Sequence, residues 1–478
     1  MAARPGVATG VLFNSQIFIL AFLPTVLTVD SLLSRRGGLR LFALIIFSLF
    51  FYAWWHPPFL ALLLASIVAN WLVARIYAHV PRAGVIAVAV ILNLLVLGYF
   101  KYAGFLVSIW SDITGPGIAA PDIVLPLAIS FFTFHHIAYL IDLRCGQAKA
   151  TSLAHYTLFI SFFPHLLAGP IVRYRELIPQ LPVLLPSARR LEMGGRGIAL
   201  FVIGLAKKTL IADELAPVVS QLFALNDPSF AEAWIATFGF TLQIYFDFSG
   251  YTDMALGLAL MLGFELPANF ASPYRATSLV DFWRRWHMTL SRFLRDYLYI
   301  PLGGNRLGLE RQFAALLVTM LLGGLWHGAA WTFVLWGALH GAGLIAVHLW
   351  QRSALRMPAA AGWLTTFLFV AVLFVFFRAT SIGQGWRIVS AALGLNGLDL
   401  SLRIVEGGWR PAFLGSPARD AIAIIGIGMI VLFLCANSQT LVERLRPTRE
   451  LALFLGVALS ILVILLGRGA QEFVYFQF

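Results

Sequence analysis

Asp281 to Arg306 reads DFWRRWHMTLSRFLRDYLYIPLGGNR. The stretch carries too many charges to cross a membrane, yet it is dense in aromatic side chains. With successive helical residues about 100° apart, Phe282, Trp283, Trp286, Leu290, Phe293, Leu294 and Tyr297 share one arc of roughly 120°. Arg284, Arg285, Arg292, Arg295 and Asp296 fall outside it. The pattern predicts an amphipathic helix over Asp281–Tyr299 that lies along a membrane boundary, its aromatic face in the acyl region and its arginines against phosphates. Pro301, Gly303 and Gly304 end it. His287 falls at the edge of the apolar arc, near Ser291 and Leu294, where its ring can face the protein interior.

Working outward from this segment, the chain is overwhelmingly apolar. Of its 478 residues 60% are hydrophobic and 12% charged, about half the charged share of an ordinary globular protein. So few charges cannot cover a soluble globule, but they suffice to cap the ends of many membrane spans. The run Val11–Leu33 reads as a retained first span, without the small-residue pattern of a cleaved signal peptide. Further runs of spanning length lie near 39–55, 58–78, 84–110, 121–143, 153–172, 194–212, 233–263, 312–350, 360–377, 421–436 and 451–467, the 312–350 run being long enough for two. Pro164 and Pro170 interrupt one run as expected of a broken or re-entrant helix. Two stretches, Arg173–Arg196 and Asn396–Asp420, read as extramembrane. Both are too short to bury a core of their own, and no repeat of 20–50 residues is present, so residues 1–478 read as a single membrane domain.

The net charge of +12 is almost wholly arginine, the only lysines being Lys101, Lys149, Lys207 and Lys208. Arginines cluster between apolar runs instead of on one solvated face, which argues for loops facing an anionic leaflet and against nucleic acid. Arg35, Arg36 and Arg40, then Arg75 and Arg82, then Arg144 and Lys149 fall on alternate loops, while His56–Pro58 and Ser111–Asp122 hold neither Lys nor Arg. The positive-inside rule makes the basic loops cytoplasmic and puts the N-terminus outside. Cys145 and Cys435 form no closely spaced set and suggest neither a disulfide framework nor a thiolate metal site.

Two polar groupings stand out at membrane depth. In LLGGLWHGAAWTFVLWGALHG, Leu321–Gly341, His327 is flanked by Gly323, Gly324 and Gly328 with Trp326 and Trp331 nearby, and His340 is bracketed by Gly337 and Gly341. Ionisable groups there are expensive and point to function, although neutral, hydrogen-bonded packing histidines fit the same pattern. In QIYFDFSGYTDMALG, Gln243–Gly257, Asp247 and Asp253 need partners, for which Arg284, Arg285 and Arg295 are candidates. Six residues apart, these carboxylates sit on different helical faces and form no acid/base pair. The adjacent His135 and His136 point apart and cannot chelate one metal, and no HExxH is present, so no metal site is expected. There is no GxSxG, GxxxxGK[ST] or GxGxxG motif, which sets aside common hydrolase, ATPase and dinucleotide-binding readings.

The strings FWRRWHMTLSRFLRDYLYIPLGGNR and LLGGLWHGAAWTFVLWGALHG resemble the signature of membrane-bound O-acyltransferases, most closely the bacterial alginate O-acetyltransferase branch. The likeness extends through LPLAISFFTFHHIAYLID (Leu125–Asp142), FFPHLLAGPIVRYRE (Phe162–Glu176), QIYFDFSGYTDMALGLALMLGFELPANF (Gln243–Phe270), FVFFRA (Phe374–Ala379) and VYFQF (Val474–Phe478). Ala330 stands where Asn is more usual, and His135-His136 where Gln-Gly is frequent. The resemblance implies an all-α polytopic membrane protein with roughly 11–13 membrane-embedded helices, plus interfacial and re-entrant helices, around a central cavity. It implies an enzyme of the bacterial inner membrane that moves an acetyl group from a cytoplasmic thioester, acetyl-CoA or an acyl-carrier thioester, to a sugar hydroxyl of an exported polysaccharide. Transfer would be direct or through a periplasmic acetyltransferase or esterase-like partner, with no permanently bound cofactor. His327 takes the catalytic position and acts as general base. His287 orients the donor or polarises its carbonyl. Arg284 and Arg285 would hold donor phosphates, and Trp286, Trp326, Trp331 and His340 would line the substrate site. A transporter or flippase, or a non-catalytic scaffold of a polysaccharide export complex, is the competing reading; a transporter should show paired repeats with broken helices.

Overall fold

Apolar runs bounded by capping serines, prolines and glycines give helices, and every regular element is helical among the residues that the computed structural model describes: 12–115, 121, 123–404, 414–446, 448–466 and 473–474. In chain order the helices begin with α1 (Leu23–Leu32), α2 (Gly37–Trp55), α3 (Pro57–His79), α4 (Ala83–Thr114), α5 (Ile129–Arg144), α6 (Leu153–Ser161), α7 (Phe163–Leu166), α8 (Tyr174–Leu177), α9 (Ser187–Lys207) and α10 (Asp213–Ala224). They continue with α11 (Phe230–Met261), α12 (Leu279–Arg285), α13 (Met288–Leu294), α14 (Leu309–His327), α15 (Trp331–Trp350), α16 (Ala359–Arg378), α17 (Ile382–Ala392), α18 (Pro417–Leu434), α19 (Ser438–Arg444) and α20 (Arg449–Leu466). Ser152, Ser278, Ser381 and Ser416 each accept a backbone N–H at the start of their helices, satisfying a donor that the first turn leaves open. Pro57 and Pro417 occupy first-turn positions where a missing N–H has no consequence.

Seven of these helices, α2, α3, α4, α15, α16, α18 and α20, are long and apolar enough to cross a membrane. The 312–350 run divides into α14 and α15, as its length implied. The 153–172 run is broken after Ser161, and Pro164 lies in the first turn of the four-residue α7. The first run is shorter than a full crossing: its helical part covers Phe18–Leu32, beginning as a π-helical turn. Met1–Gly10, parts of the Ser111–Asp122 and Asn396–Asp420 stretches, and Val474–Phe478 beyond its first residue lie outside the described residues.

The chain forms two compact units. The first comprises 1–202, 252–267 and 445–468, and the second 203–251, 268–444 and 469–478. In the first, Asp30 is buried between Arg40, at 2.7 Å, and Arg190, while Arg40 also donates to the Leu262 carbonyl. A buried carboxylate is tolerated because both its oxygens are engaged by guanidinium groups. His135 and His136 are fully buried here and do point apart. His135 Nε2 accepts the Val172 N–H at 3.2 Å, and His136 bonds Tyr156 Oη and Ser66 Oγ at 2.6 and 3.2 Å.

In the second unit, α14 and α15 approach along glycine-lined faces. A Cβ on Gly324 would collide with the Phe333 carbonyl oxygen, and one on Gly337 with that of Met320, while Gly341 lies against Leu317. This backbone-to-backbone packing is the membrane-helix use of small residues. The same unit corrects one pairing. Asp247 is met by Lys208, at 2.7 Å, and not by any of the arginines proposed for it; Lys208 also pairs with Asp213 at 2.6 Å. Arg285 and Arg295 are engaged instead by Asp281 and Asp296 beside them on their own segment, and Arg284 is exposed.

Gly337→Ala should force α14 and α15 apart and destabilise the protein by about 1–3 kcal/mol, read as a lower thermal midpoint in detergent. Gly426→Ala in α18, where a Cβ would meet nothing within 4 Å, is the matched control and should not lower it.

Candidate active site

The segment that the sequence presents as one amphipathic helix is broken at its centre. α12 ends at Arg285, Trp286 is extended, His287 takes a left-handed conformation at φ +42°, and α13 starts at Met288. The cause is Asn269, a fully buried residue with no periodic relation to the segment. Its backbone carbonyl accepts the Met288 N–H, and its side-chain Oδ1 accepts from both the N–H and the hydroxyl of Thr289, at 3.2 and 2.8 Å. Holding those donors turns the chain inward at 287. The aromatic arc faces protein and not lipid: Phe282, Trp286 and Leu290 are each 1% exposed. Trp286 packs among Phe270, Tyr274, Phe282 and Phe374 at ring distances of 5.2–6.0 Å.

This turn buries His287 completely against Phe248 and Trp326. Its Nδ1 lies 3.2 Å from Asn269 Oδ1, the atom already accepting from Thr289. Toward His287 that oxygen is again an acceptor, so Nδ1 carries the ring proton and Nε2 offers a lone pair. Among the described residues nothing hydrogen-bonds that Nε2. Burial pushes the imidazole pKa down to about 3, so it is neutral at physiological pH.

His327 is the last residue of α14, 5% exposed, with Trp326, Trp336 and Phe377 around its ring at 5.0, 5.3 and 5.1 Å. Gly328 follows with extended backbone, and a Cβ there would run into the Phe333 ring, so only glycine lets the chain leave the helix past that side chain. His287 and His327 both flank Trp326, at 6.1 and 5.0 Å, which limits the separation of their centroids to about 11 Å, a span that one substrate can bridge.

His340, on α15, has the opposite polarity to His287. The Trp283 indole N–H donates to its Nδ1 at 3.3 Å, so Nε2 carries the proton. That N–H and the Nε1–H of Trp336, whose ring lies 4.5 Å from His340, have no hydrogen-bond partner among the described residues. The cluster therefore presents a lone pair at His287 and two N–H donors near His327.

Other expected site residues are placed differently. Trp331 is 53% exposed at the start of α15, so the aromatic wall beside His327 is formed by Trp336, one turn further on. Trp286 has its ring contacts in the aromatic core beneath the site, and Arg284 and Arg285 lie on the surface side of α12. Sequence reading missed Asn269, Trp336 and Phe377. All three lie inside recognisable strings, but nothing in their spacing singles them out.

Residues 144–384, which include every residue of this cluster, match the model of the MBOAT, membrane-bound O-acyltransferase family. The chain is 43% identical over 405 residues to a probable alginate O-acetylase of Azotobacter vinelandii, covering 81% of this chain and 79% of that protein. It is 41% identical over 427 residues to a peptidoglycan O-acetyltransferase of Helicobacter pylori, covering 81% of each, and 42% identical over 400 residues to a probable alginate O-acetylase of Pseudomonas aeruginosa, covering 81% and 76%. The chain belongs to the membrane-bound O-acyltransferase family. It is a multi-pass, all-α membrane O-acyltransferase.

The buried, neutral His287 sets a pH signature. Its pKa is lower folded than unfolded, so its contribution is present above about pH 6.5 and is lost as pH falls toward 3, because the unfolded chain then takes up the proton. Between pH 6.5 and 4.5 wild-type protein should lose about 2 kcal/mol more stability than His287→Gln, measured as the difference in pH slope of denaturant unfolding. Equal slopes would remove the neutral buried imidazole.

Proposed function

We propose that this enzyme transfers an acetyl group from a cytoplasmic thioester, acetyl-CoA or an acyl-carrier thioester, to a sugar hydroxyl of an exported, alginate-like polysaccharide at the bacterial inner membrane. The acetyl group passes directly or by way of a periplasmic acetyltransferase or esterase-like partner. The observation that carries this reading is the convergence of two imidazoles on Trp326, with a lone pair at His287 and N–H donors at His340 and Trp336. The names of the similar proteins, two alginate O-acetylases and a peptidoglycan O-acetyltransferase, support an acetyl group and a cell-envelope or exported polymer.

In this mechanism His327 removes the proton of the attacking hydroxyl as its oxygen bonds the thioester carbonyl carbon. The tetrahedral oxyanion is stabilised by preorganised donors, and Trp336 Nε1–H, beside His327, and His340 Nε2–H, on the far side of Trp336, are the buried N–H groups that supply them. Collapse breaks the carbon–sulfur bond, and the protonated His327 returns its proton to the departing thiolate. His287, whose free nitrogen is an acceptor, does not polarise the carbonyl; it orients a substrate O–H or N–H. Aromatic rings around His327 exclude bulk water that would hydrolyse the thioester. Arg284, exposed on α12, is available to donor phosphates.

His327→Ala should lower acetyl transfer in proteoliposomes by roughly 100- to 10,000-fold with normal membrane insertion. His340→Ala should lower kcat by roughly 100-fold or more with little change in KM. Retention of more than a few per cent of activity in purified His327→Ala removes that residue from the base role.

A further inference from the structure

Thr332, Trp336 and His340 recur every four residues along α15, so they share one face of that helix. The face begins at the corner where His327 ends α14, and all three residues are 0–2% exposed. Each carries one side-chain polar atom with no hydrogen-bond partner among the described residues: Thr332 Oγ1, Trp336 Nε1 and His340 Nε2. The last two are the N–H donors assigned above; the Thr332 hydroxyl lies one turn nearer the corner than Trp336.

A threonine hydroxyl inside a helix ordinarily donates to the carbonyl four residues earlier. Thr25, Thr28, Thr237 and Thr241 do so at 2.7–2.8 Å. For Thr332 that carbonyl belongs to Gly328, whose extended backbone takes it out of helical register. The hydroxyl is left buried and unbonded, a penalty that a valine of the same shape would not carry. Trp336 Nε1–H does not bond it either, although long helical side chains lean toward the N-terminus and carry the indole over the turn that holds Thr332. Two adjacent buried groups that do not satisfy each other require a common third partner. An indole N–H only donates, so that partner is an acceptor. Ala330 supplies no side-chain acceptor to the first turn of α15, whose N–H groups add partial positive charge at the same end. The acceptor favoured there is therefore an oxygen bearing negative charge, and the Trp336 ring, 5.3 Å from that of His327, sets it beside the reacting bonds.

We infer that Thr332 is a catalytic residue whose hydroxyl donates a hydrogen bond to the tetrahedral oxyanion, forming with Trp336 the part of the oxyanion hole nearest His327. The inference rests on the thioester-to-hydroxyl transfer proposed above and adds a residue to it. The hydroxyl keeps its proton throughout, and no bond to Thr332 forms or breaks.

The experiment compares Thr332→Val, Thr332→Ser and His327→Ala in proteoliposomes, with acetyl-CoA as donor and an alginate oligosaccharide as acceptor. Thr332→Val should lower kcat by roughly 100-fold with little change in KM, while its thermal midpoint in detergent stays at or above that of the wild-type protein. Thr332→Ser keeps the hydroxyl and should hold kcat within about tenfold of wild type. A role in packing alone predicts that valine is tolerated, so a Thr332→Val kcat within about threefold of wild type overturns the inference. An acetyl ester found on Thr332 by mass spectrometry of enzyme quenched during turnover also overturns it, because the residue would then be a nucleophile. Cells whose sole copy carries Thr332→Val should accumulate base-labile acetyl ester on their polysaccharide correspondingly slowly at wild-type protein levels, a comparison independent of the purified donor and acceptor; an unchanged rate there counts against Thr332 in the same way. Transfer lost in His327→Ala but kept in Thr332→Val strikes Thr332 alone, whereas transfer kept in His327→Ala strikes the catalytic reading. If Thr332→Val fails to insert, Thr332→Ala is judged by the same kcat criterion.

Discussion

The backbone-to-backbone approach of α14 and α15 is the constraint on which the site depends. It exists because Gly324 and Gly337 lack a Cβ that would meet the carbonyls of Phe333 and Met320. In a membrane, helices gain little from burying apolar surface against each other, and close packing of small residues takes over that role. The consequence here is chemical as well as structural. His327 ends one helix of the pair, Trp336 and His340 project from the other, and the short interaxial distance brings the three rings into one cluster with centroid spacings near 5 Å. Gly328 extends the same logic to the corner, where the chain turns past Phe333.

A second constraint acts from outside this helix pair. Asn269 uses one carboxamide oxygen and one carbonyl to gather the N–H groups of residues 288 and 289, the Thr289 hydroxyl and the His287 ring. In a low-dielectric interior such bonds are stronger than in water and leave little freedom of arrangement. They also determine which ring nitrogen of His287 is protonated, just as Trp283 determines it for His340. Two histidines of identical composition thus receive opposite hydrogen-bonding roles from neighbours that are not themselves ionisable.

The helical membrane architecture was legible in the sequence because hydropathy and length are local properties. The division of residues 312–350 into two helices and the interruption of the run at Pro164 both followed from them. His287 and His327 were legible because they sit in long recognisable strings, and His327 also because ionisable groups at membrane depth are rare. What periodicity could not convey was the break at His287. The aromatic arc of Asp281–Tyr299 was read correctly as one-sided, but its partner proved to be protein, since Phe270, Tyr274 and Phe374 supply the apolar surface that lipid was expected to provide. The pairing of Asp247 with Lys208 was equally hidden: charge complementarity left several arginines eligible, and only the fold selected the lysine. Trp331 and Trp336 differ by five positions on one helix, a rotation that puts one on the surface and the other beside His327.

The left-handed backbone at position 287 also bears on how this family can vary. Most side chains are strained at φ +42°, whereas Asn, Asp and His tolerate that region and glycine occupies it freely. The conformation therefore acts as a filter that admits a handful of residue types before any chemistry is considered. Asparagine passes it while retaining a side-chain acceptor, so substitution by asparagine at 287 is the mutational step that least disturbs the chain. Position 327 has no such backbone filter, because it lies on regular helix, and what limits it is the enclosure of its side chain by Trp326, Trp336 and Phe377. Its identity is left to packing and chemistry, and the two histidines of one site answer to different constraints.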